Sequence, residues 1–241
     1  MTEASLLSYL NSLPAGGNTL TVTGHPAPDT DAVISALFEA WRLTRGGTPA
    51  APLVQGSIPR ETAWLLGAAA SAVPTAQAID PAARLVLTDH HDVATYPNPV
   101  VMVVDHHPLS SAVDWRGADA VISPVGAATT LVARRIRSDG ITPDPYCARV
   151  LLGAILLDTE GLSHHKVKAE DLDTAAWLAA LCGEHPPALF AQLRAQLLSE
   201  TDLATLYGRD YRLYTAPDGT PLLGWAILKV WADACPDLDG V

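Results

Sequence analysis

The sequence predicts an α/β fold: a mainly parallel sheet flanked by helices, followed by a small C-terminal α+β portion. Three observations carry this. Over the first 180 residues, short and nearly continuous apolar runs alternate with segments of helical apolar period, as expected of strands covered on both faces. Acidic and histidine residues gather just past the ends of buried runs, where parallel α/β sheets present ligand-binding groups. The composition, 49% hydrophobic and 17% charged over 241 residues, is enough for a sizeable core.

Strands are expected at 18–24, 51–55, 84–89, 100–105 and 119–122. The first helix runs from Asp31 to Leu43, because Val33, Ala36, Leu37, Ala40 and Trp41 fall on one stripe and Gly46-Gly47 follows as a stop. Further helices are expected at 59–70, 126–138, 144–157, 169–182 and 187–199. Strand and helix patterns in alternation imply crossover connections and hence parallel pairing. The segment Gly183-Glu184-His185-Pro186-Pro187 suggests a boundary, giving domains at 1–183 and 187–241. In the second, Tyr211–Tyr214 and Leu222–Trp231 read as strands joined by a turn at Ala216-Pro217-Asp218-Gly219. A unit of roughly 55 residues is near the lower limit for independent stability, so this portion should lean on the first domain or be incomplete.

The net charge of −11 disfavours a broad nucleic-acid surface. Cys147, Cys182 and Cys235 are far apart and odd in number, which fits a reducing compartment and small buried side chains rather than a disulfide framework. The N-terminus carries Glu3 and lacks the basic start of a signal peptide. No apolar run approaches the roughly 20 residues that span a bilayer. A cytoplasmic protein is expected. Its oligomeric state is left open, a homodimer being one state that fits.

Four patches carry the chemistry. His25, Asp29 and Asp31 follow the apolar segment Leu20–Gly24, with Pro26 and Pro28 suppressing helix until Asp29, which is placed to cap the next helix. Asp89 follows Leu85–Leu87, Asp105-His106-His107 ends the run Val100–Val104, and Asp158 follows Leu156-Leu157. Taken alone, each patch is as readily a satisfied loop end or a helix cap. Four together point to oxygen and nitrogen ligands gathered for divalent ions such as Mn²⁺, Mg²⁺, Co²⁺ or Zn²⁺. Two such ions could activate water for phosphoanhydride hydrolysis.

In chain order, these stretches (residues 25–32, 88–92, 103–108 and 156–162) resemble the four motifs of the DHH phosphoesterase superfamily. Within it, they most resemble the manganese-dependent, family II inorganic pyrophosphatases. The likeness covers roughly residues 18–215 and extends to Gly126-Ala127-Ala128-Thr129-Thr130, similar to that family's glycine-threonine segment. The resemblance implies a DHH catalytic domain followed by a shortened DHHA2-like portion. It implies two divalent ions, Mn²⁺ first and Mg²⁺ or Co²⁺ as alternatives. His25 and Asp29 would serve one ion, Asp31 and His106 the other, and Asp89 and Asp158 both. His107 would meet the substrate, a small phosphate compound, and protonate its leaving group, with Asp105 orienting the paired histidines. Arg209 and Arg212 would contact phosphate.

The chain departs from the family pattern in three places. After Asp158 stands Gly161-Leu-Ser-His164-His165-Lys166-Val167, more similar to the exopolyphosphatase and prune group. His164 and His165 could extend the substrate site, although exposed loop histidines are the commoner case. His91 stands where the pyrophosphatases commonly have Asn. No later Ser-Arg-Lys-Lys type motif precedes Val241, so the lid is expected to be short or the sequence incomplete. Pyrophosphate is the leading substrate. Short polyphosphate or a nucleotide is the alternative within the superfamily, and a metal-binding regulatory module the alternative outside it.

Overall fold

The structure, a computed structural model, describes residues 3–14, 16–109, 113–198, 212–215 and 221–225. Its main sheet has strands β1 (Leu20–Thr23), β2 (Ala50–Gln55), β3 (Thr75–Ala76), β4 (Arg84–Thr88), β5 (Val100–Asp105) and β6 (Asp119–Ile122). They lie in the order β3-β2-β1-β4-β5-β6 and every pairing is parallel. Four of the five expected strands end within a residue or so of their predicted limits. β3, only two residues long, has no periodicity to betray it.

The helices are α1 (Glu3–Asn11), α2 (Thr30–Arg45), α3 (Arg60–Leu66), α4 (Ala128–Ser138), α5 (Pro145–Asp158), α6 (Ala169–Cys182) and α7 (Pro186–Leu198). α1 was not anticipated; its Leu6 and Leu10 join the main core. The expected helix at 59–70 is an α-helix only to Leu66, where Gly67 with φ of 56° turns the chain into a 3₁₀ segment. α2 is buried from Thr30 to Trp41, packing on β1 and β2 on one side and on α4 and α5 on the other. α5 is buried nearly all round and packs on α2, α4, α6 and α7. The helix α7 sends Leu189 and Leu193 into the same core as α5.

Side-chain alternation separates the two faces of the sheet. Val86 joins the cluster with Ala36 and Ala40 of α2, whereas Leu85 and Leu87 join Val93, Tyr96, Val100 and Val103 on the opposite face. A separate antiparallel pair, β7 (Arg212–Thr215) with β8 (Pro221–Trp225), matches the two strands expected in the tail, residues 226–231 of the second lying outside the described residues.

Strand order reverses between β1 and β4, since the chain runs outward through β2 and β3 and returns to β4 on the other side of β1. The crevice past the strand ends at such a switch point is where open parallel sheets hold ligands. The register aligns what stands there. Thr23 pairs with Leu87, and Leu87 with Val103. Two residues further along each strand come His25, Asp89 and Asp105, at one level across three neighbouring strands.

Candidate metal centre

The loop from β1 to α2 places His25 and Asp29. Only glycine fits at position 24, where a Cβ would lie 2.7 Å from Ala32 Cβ and 2.8 Å from Ala32 O. Asp29 caps α2, accepting from Ala32 N at 2.9 Å, as its sequence position predicted. His25 Nε2 lies 3.4 Å from Asp89 Oδ2 and 3.9 Å from Asp29 Oδ1.

Asp31, in the first turn of α2, is 1% exposed. It accepts from Ala128 N at 2.6 Å and Thr129 N at 2.8 Å, the first amides of α4. The glycine-threonine segment thus acts through backbone N–H groups at a helix start, where negative charge is favoured.

Asp89 sits just past β4 with φ of 61°, a left-handed value that a non-glycine residue keeps only where its surroundings impose it. It is 3% exposed, and its Oδ1 has no hydrogen-bond partner of good geometry although His106 Nε2 is 3.1 Å away. Burying a carboxylate oxygen without a partner is costly. A cation between Asp89 and the histidines would remove that cost, so the donor set fits divalent ions.

His106 Nδ1 donates to Val125 O at 3.0 Å. A carbonyl can only accept, so this contact holds the proton on Nδ1. It leaves Nε2 facing Asp89, Asp31 at 3.9 Å and Asp158 at 3.7 Å. Asp158 is the last residue of α5, one beyond the helix end expected from sequence. Among the described residues, potential ligand atoms converge in three groups: His25, Asp29 and Asp89; Asp31, His106 and Asp158; and Asp89, Asp105, His106 and His107. The first two are separate triads, and Asp89 links them through its contacts with both His25 and His106.

Asp105 is fully buried and its Oδ1 accepts from His106 N at 2.8 Å and pairs with His107 Nδ1 at 2.8 Å. Its Oδ2 pairs with His91 Nδ1. His91, which in sequence was only a departure from the family pattern, therefore shares one carboxylate with His107. His107 is half exposed at 51%, with its Nδ1 3.8 Å from Asp89 Oδ1. His90 turns away: it contacts Thr88 O at 3.0 Å and Tyr96 Oη at 2.9 Å, and burial lowers its pKa.

The electrostatics describe a site that neutralises itself with protons. Burial works against an imidazolium at His25 and His106, yet contact with Asp89, joined by Asp29 for His25 and by Asp31 for His106, pushes their pKa values up to about 9 and about 10. Burial would raise Asp89, but His106 and His25 hold it below the usual carboxylate range. Asp31 is raised well above that range by burial, with Asp89 and Asp158 adding to it. Lys166 Nζ donates to Asp158 Oδ2 at 2.7 Å; burial opposes its charge, but Asp158 keeps its pKa raised. Lys166 was noted in the sequence only as part of a family-like segment. His164, expected to be an exposed loop histidine, is half-buried and accepts from Lys166 N at 3.2 Å; His165 is exposed.

Of the two arginines expected to contact phosphate, Arg209 lies outside the described residues, and Arg212 begins β7 with its side chain likewise outside them. Cys147 is buried and Cys182 half-buried, both as free thiols; Cys235 lies outside the described residues. Among the described residues no helix is long and apolar enough to cross a membrane.

Fold and centre together define a parallel α/β protein with a histidine-carboxylate cluster at its switch point. No family model matches the chain. It is 31% identical over 219 residues to a protein of Deinococcus radiodurans named a probable manganese-dependent inorganic pyrophosphatase, covering 86% of this chain and 69% of that one. It is 26% identical over 196 residues to the manganese-dependent inorganic pyrophosphatase of Methanothrix thermoacetophila, covering 78% and 63%. The fold is shared with a Methanococcus jannaschii structure described as a family II inorganic pyrophosphatase, with a TM-score of 0.68 at 21% identity over 81% of this chain and 67% of that one. It is also shared with an exopolyphosphatase-related protein of Bacteroides fragilis, with a TM-score of 0.58 at 15% identity over 88% and 66%. The chain belongs to the manganese-dependent inorganic pyrophosphatase family. It spans 63% of the Methanothrix protein's length and 56% of that of a Streptococcus mutans relative.

Proposed function

We propose that this chain hydrolyses the phosphoanhydride bond of inorganic pyrophosphate with two divalent ions, manganese first among them. The observation that carries the reading is the pair of ligand triads linked through the buried Asp89 carboxylate, which contacts both His25 and His106. His25 and Asp29 would hold one ion, Asp31 and His106 the other, and Asp89 and Asp158 would serve both. Ions held there would supply a nucleophile at neutral pH and neutralise phosphoryl charge.

The protein's own groups do the rest. The α4 amides fix Asp31, and the Val125 carbonyl fixes the His106 tautomer. Asp105 holds His107 through Nδ1, so its other ring nitrogen, Nε2, would be the one to give a proton to the departing phosphate. Arg209 and Arg212 remain proposed phosphate contacts.

Phosphate release from pyrophosphate, tripolyphosphate and a cyclic dinucleotide in the presence of Mn²⁺ tests this. Pyrophosphate should be turned over fastest. Asp158→Asn should lower the rate by about 100-fold or more, with less bound metal by elemental analysis. Full activity in that variant, or in metal-stripped wild type, would falsify the reading; turnover of another substrate alone would reassign it.

A further inference from the structure

Lys166 places its ammonium on a carboxylate of the candidate metal centre. Asp158 Oδ2, to which it donates at 2.7 Å, is the same oxygen that stands 3.7 Å from His106 Nε2. Asp158, Asp31 and His106 are close enough to share an ion. An ammonium therefore rests on an oxygen that the ion would use.

The backbone that carries Lys166 is firmly set. Glu160, Gly161 and Leu162 have successive φ values of 51°, 69° and 70°. Such a run persists only where the surroundings over-determine it. Here Gly161 N donates to Leu156 O at 2.7 Å, His164 N to Thr159 O at 3.0 Å and Val167 N to His164 O at 3.0 Å. Lys168 N donates to buried Asp171 at 2.8 Å, and the same carboxylate takes Gly126 N from the loop that leads into α4. The side chain, in contrast, is 31% exposed and borders the crevice. A lysine ammonium is a compact charge on a flexible four-carbon stem, so it can exchange one anion for another without moving its backbone.

We propose that Lys166 is a substrate-binding residue of this site: its ammonium, paired with Asp158, would give up that oxygen to a divalent ion and meet the phosphoryl oxygens of the substrate. This rests on the functional reading above. Once an ion has claimed Asp158, its carboxylate is a poor partner for a second cation, and a bound phosphate is the strongest acceptor within range.

Calorimetric titration of Mn²⁺, then of imidodiphosphate into the Mn²⁺-loaded protein, tests the proposal on wild type, Lys166→Met and Lys166→Arg. Lys166→Met should bind Mn²⁺ more tightly, by about threefold or more, because no ammonium must be displaced. Loaded with Mn²⁺, it should bind imidodiphosphate about tenfold or more weakly, having lost a charge-assisted hydrogen bond. Lys166→Arg should recover most of that affinity. Weaker Mn²⁺ binding by Lys166→Met would mean that Lys166 only braces Asp158, and unchanged imidodiphosphate affinity would mean that it never meets substrate; either overturns the proposal. If Lys166→Met does not fold, Lys166→Gln takes its place under the same criteria. A wild type that binds neither Mn²⁺ nor imidodiphosphate defeats the functional reading itself, and this inference with it.

Discussion

Asp171 holds the centre together without facing it. Fully buried, it accepts from Gly126 N at 2.7 Å, Thr130 Oγ1 at 2.6 Å and Lys168 N at 2.8 Å. It thereby ties the start of α4, whose amides hold Asp31, to the loop that carries Lys166. The approach is close enough that a Cβ on Gly126 would lie 2.6 Å from Thr159 Cγ2 and 3.0 Å from Asp171 Oδ2. Removing the carboxylate strands two buried donors, Gly126 N and Thr130 Oγ1, each worth about 1–3 kcal/mol, and the half-buried Lys168 N. Asp171→Ala should therefore lose about 3 kcal/mol or more in urea unfolding and bind Mn²⁺ more weakly, while Asp171→Asn, which keeps one acceptor oxygen, should lose less. A loss under about 1 kcal/mol with Mn²⁺ affinity intact would show that the loops hold without it.

At the scale of elements, α2 has two duties at its first turn. Asp29 caps the helix, and the same side chain belongs to the triad with His25 and Asp89. A capping aspartate with an incidental histidine nearby would be the simpler account, and the two can be separated. Serine caps about as well as aspartate, whereas alanine costs about 1 kcal/mol. Asp29→Ser should melt within a degree or two of wild type without metal, yet lose Mn²⁺ affinity by about tenfold or more, the scale expected when a ligand or its close support is lost. Equal Mn²⁺ affinity in Asp29→Ser and wild type would leave Asp29 as a cap alone.

For the whole molecule, ions and protons compete for one set of groups. With His25 at about 9 and His106 at about 10, both imidazoles are protonated near neutral pH in the metal-free protein, and an ion must displace those protons. The sign follows from raised folded-state values. The protonated arrangement stabilises the fold fully below about 6.5, and that contribution fades as pH rises through 9 and 10, while Mn²⁺ binding strengthens over the same window. Saturation at 100 times the dissociation constant adds about 2.7 kcal/mol of stability. The rise in melting temperature on adding a fixed Mn²⁺ concentration should therefore be larger at pH 8 than at pH 6. A pH-independent increment would mean that the histidines are not displaced.

The sequence by itself determined the strand ends and what stands on them. Apolar runs of strand length are local features, and His25, Asp29, Asp89 and Asp105-His106-His107 sit at fixed short distances beyond them, so period and loop chemistry were enough to find the fold class and the residues that cluster at the strand ends. The short β3 and the marginal α1 carry little local signal and were not found this way. Tertiary structure alone decided the rest. Thr23, Leu87 and Val103 must come into register before His25, Asp89 and Asp105 share a level. His91 reaches Asp105 across 14 residues, and Asp171 reaches Gly126 across 45. Contacts at such separations depend on chain reversals that no periodicity encodes. For that reason, the residues that support the centre and the lysine that borders it became visible only in the folded chain.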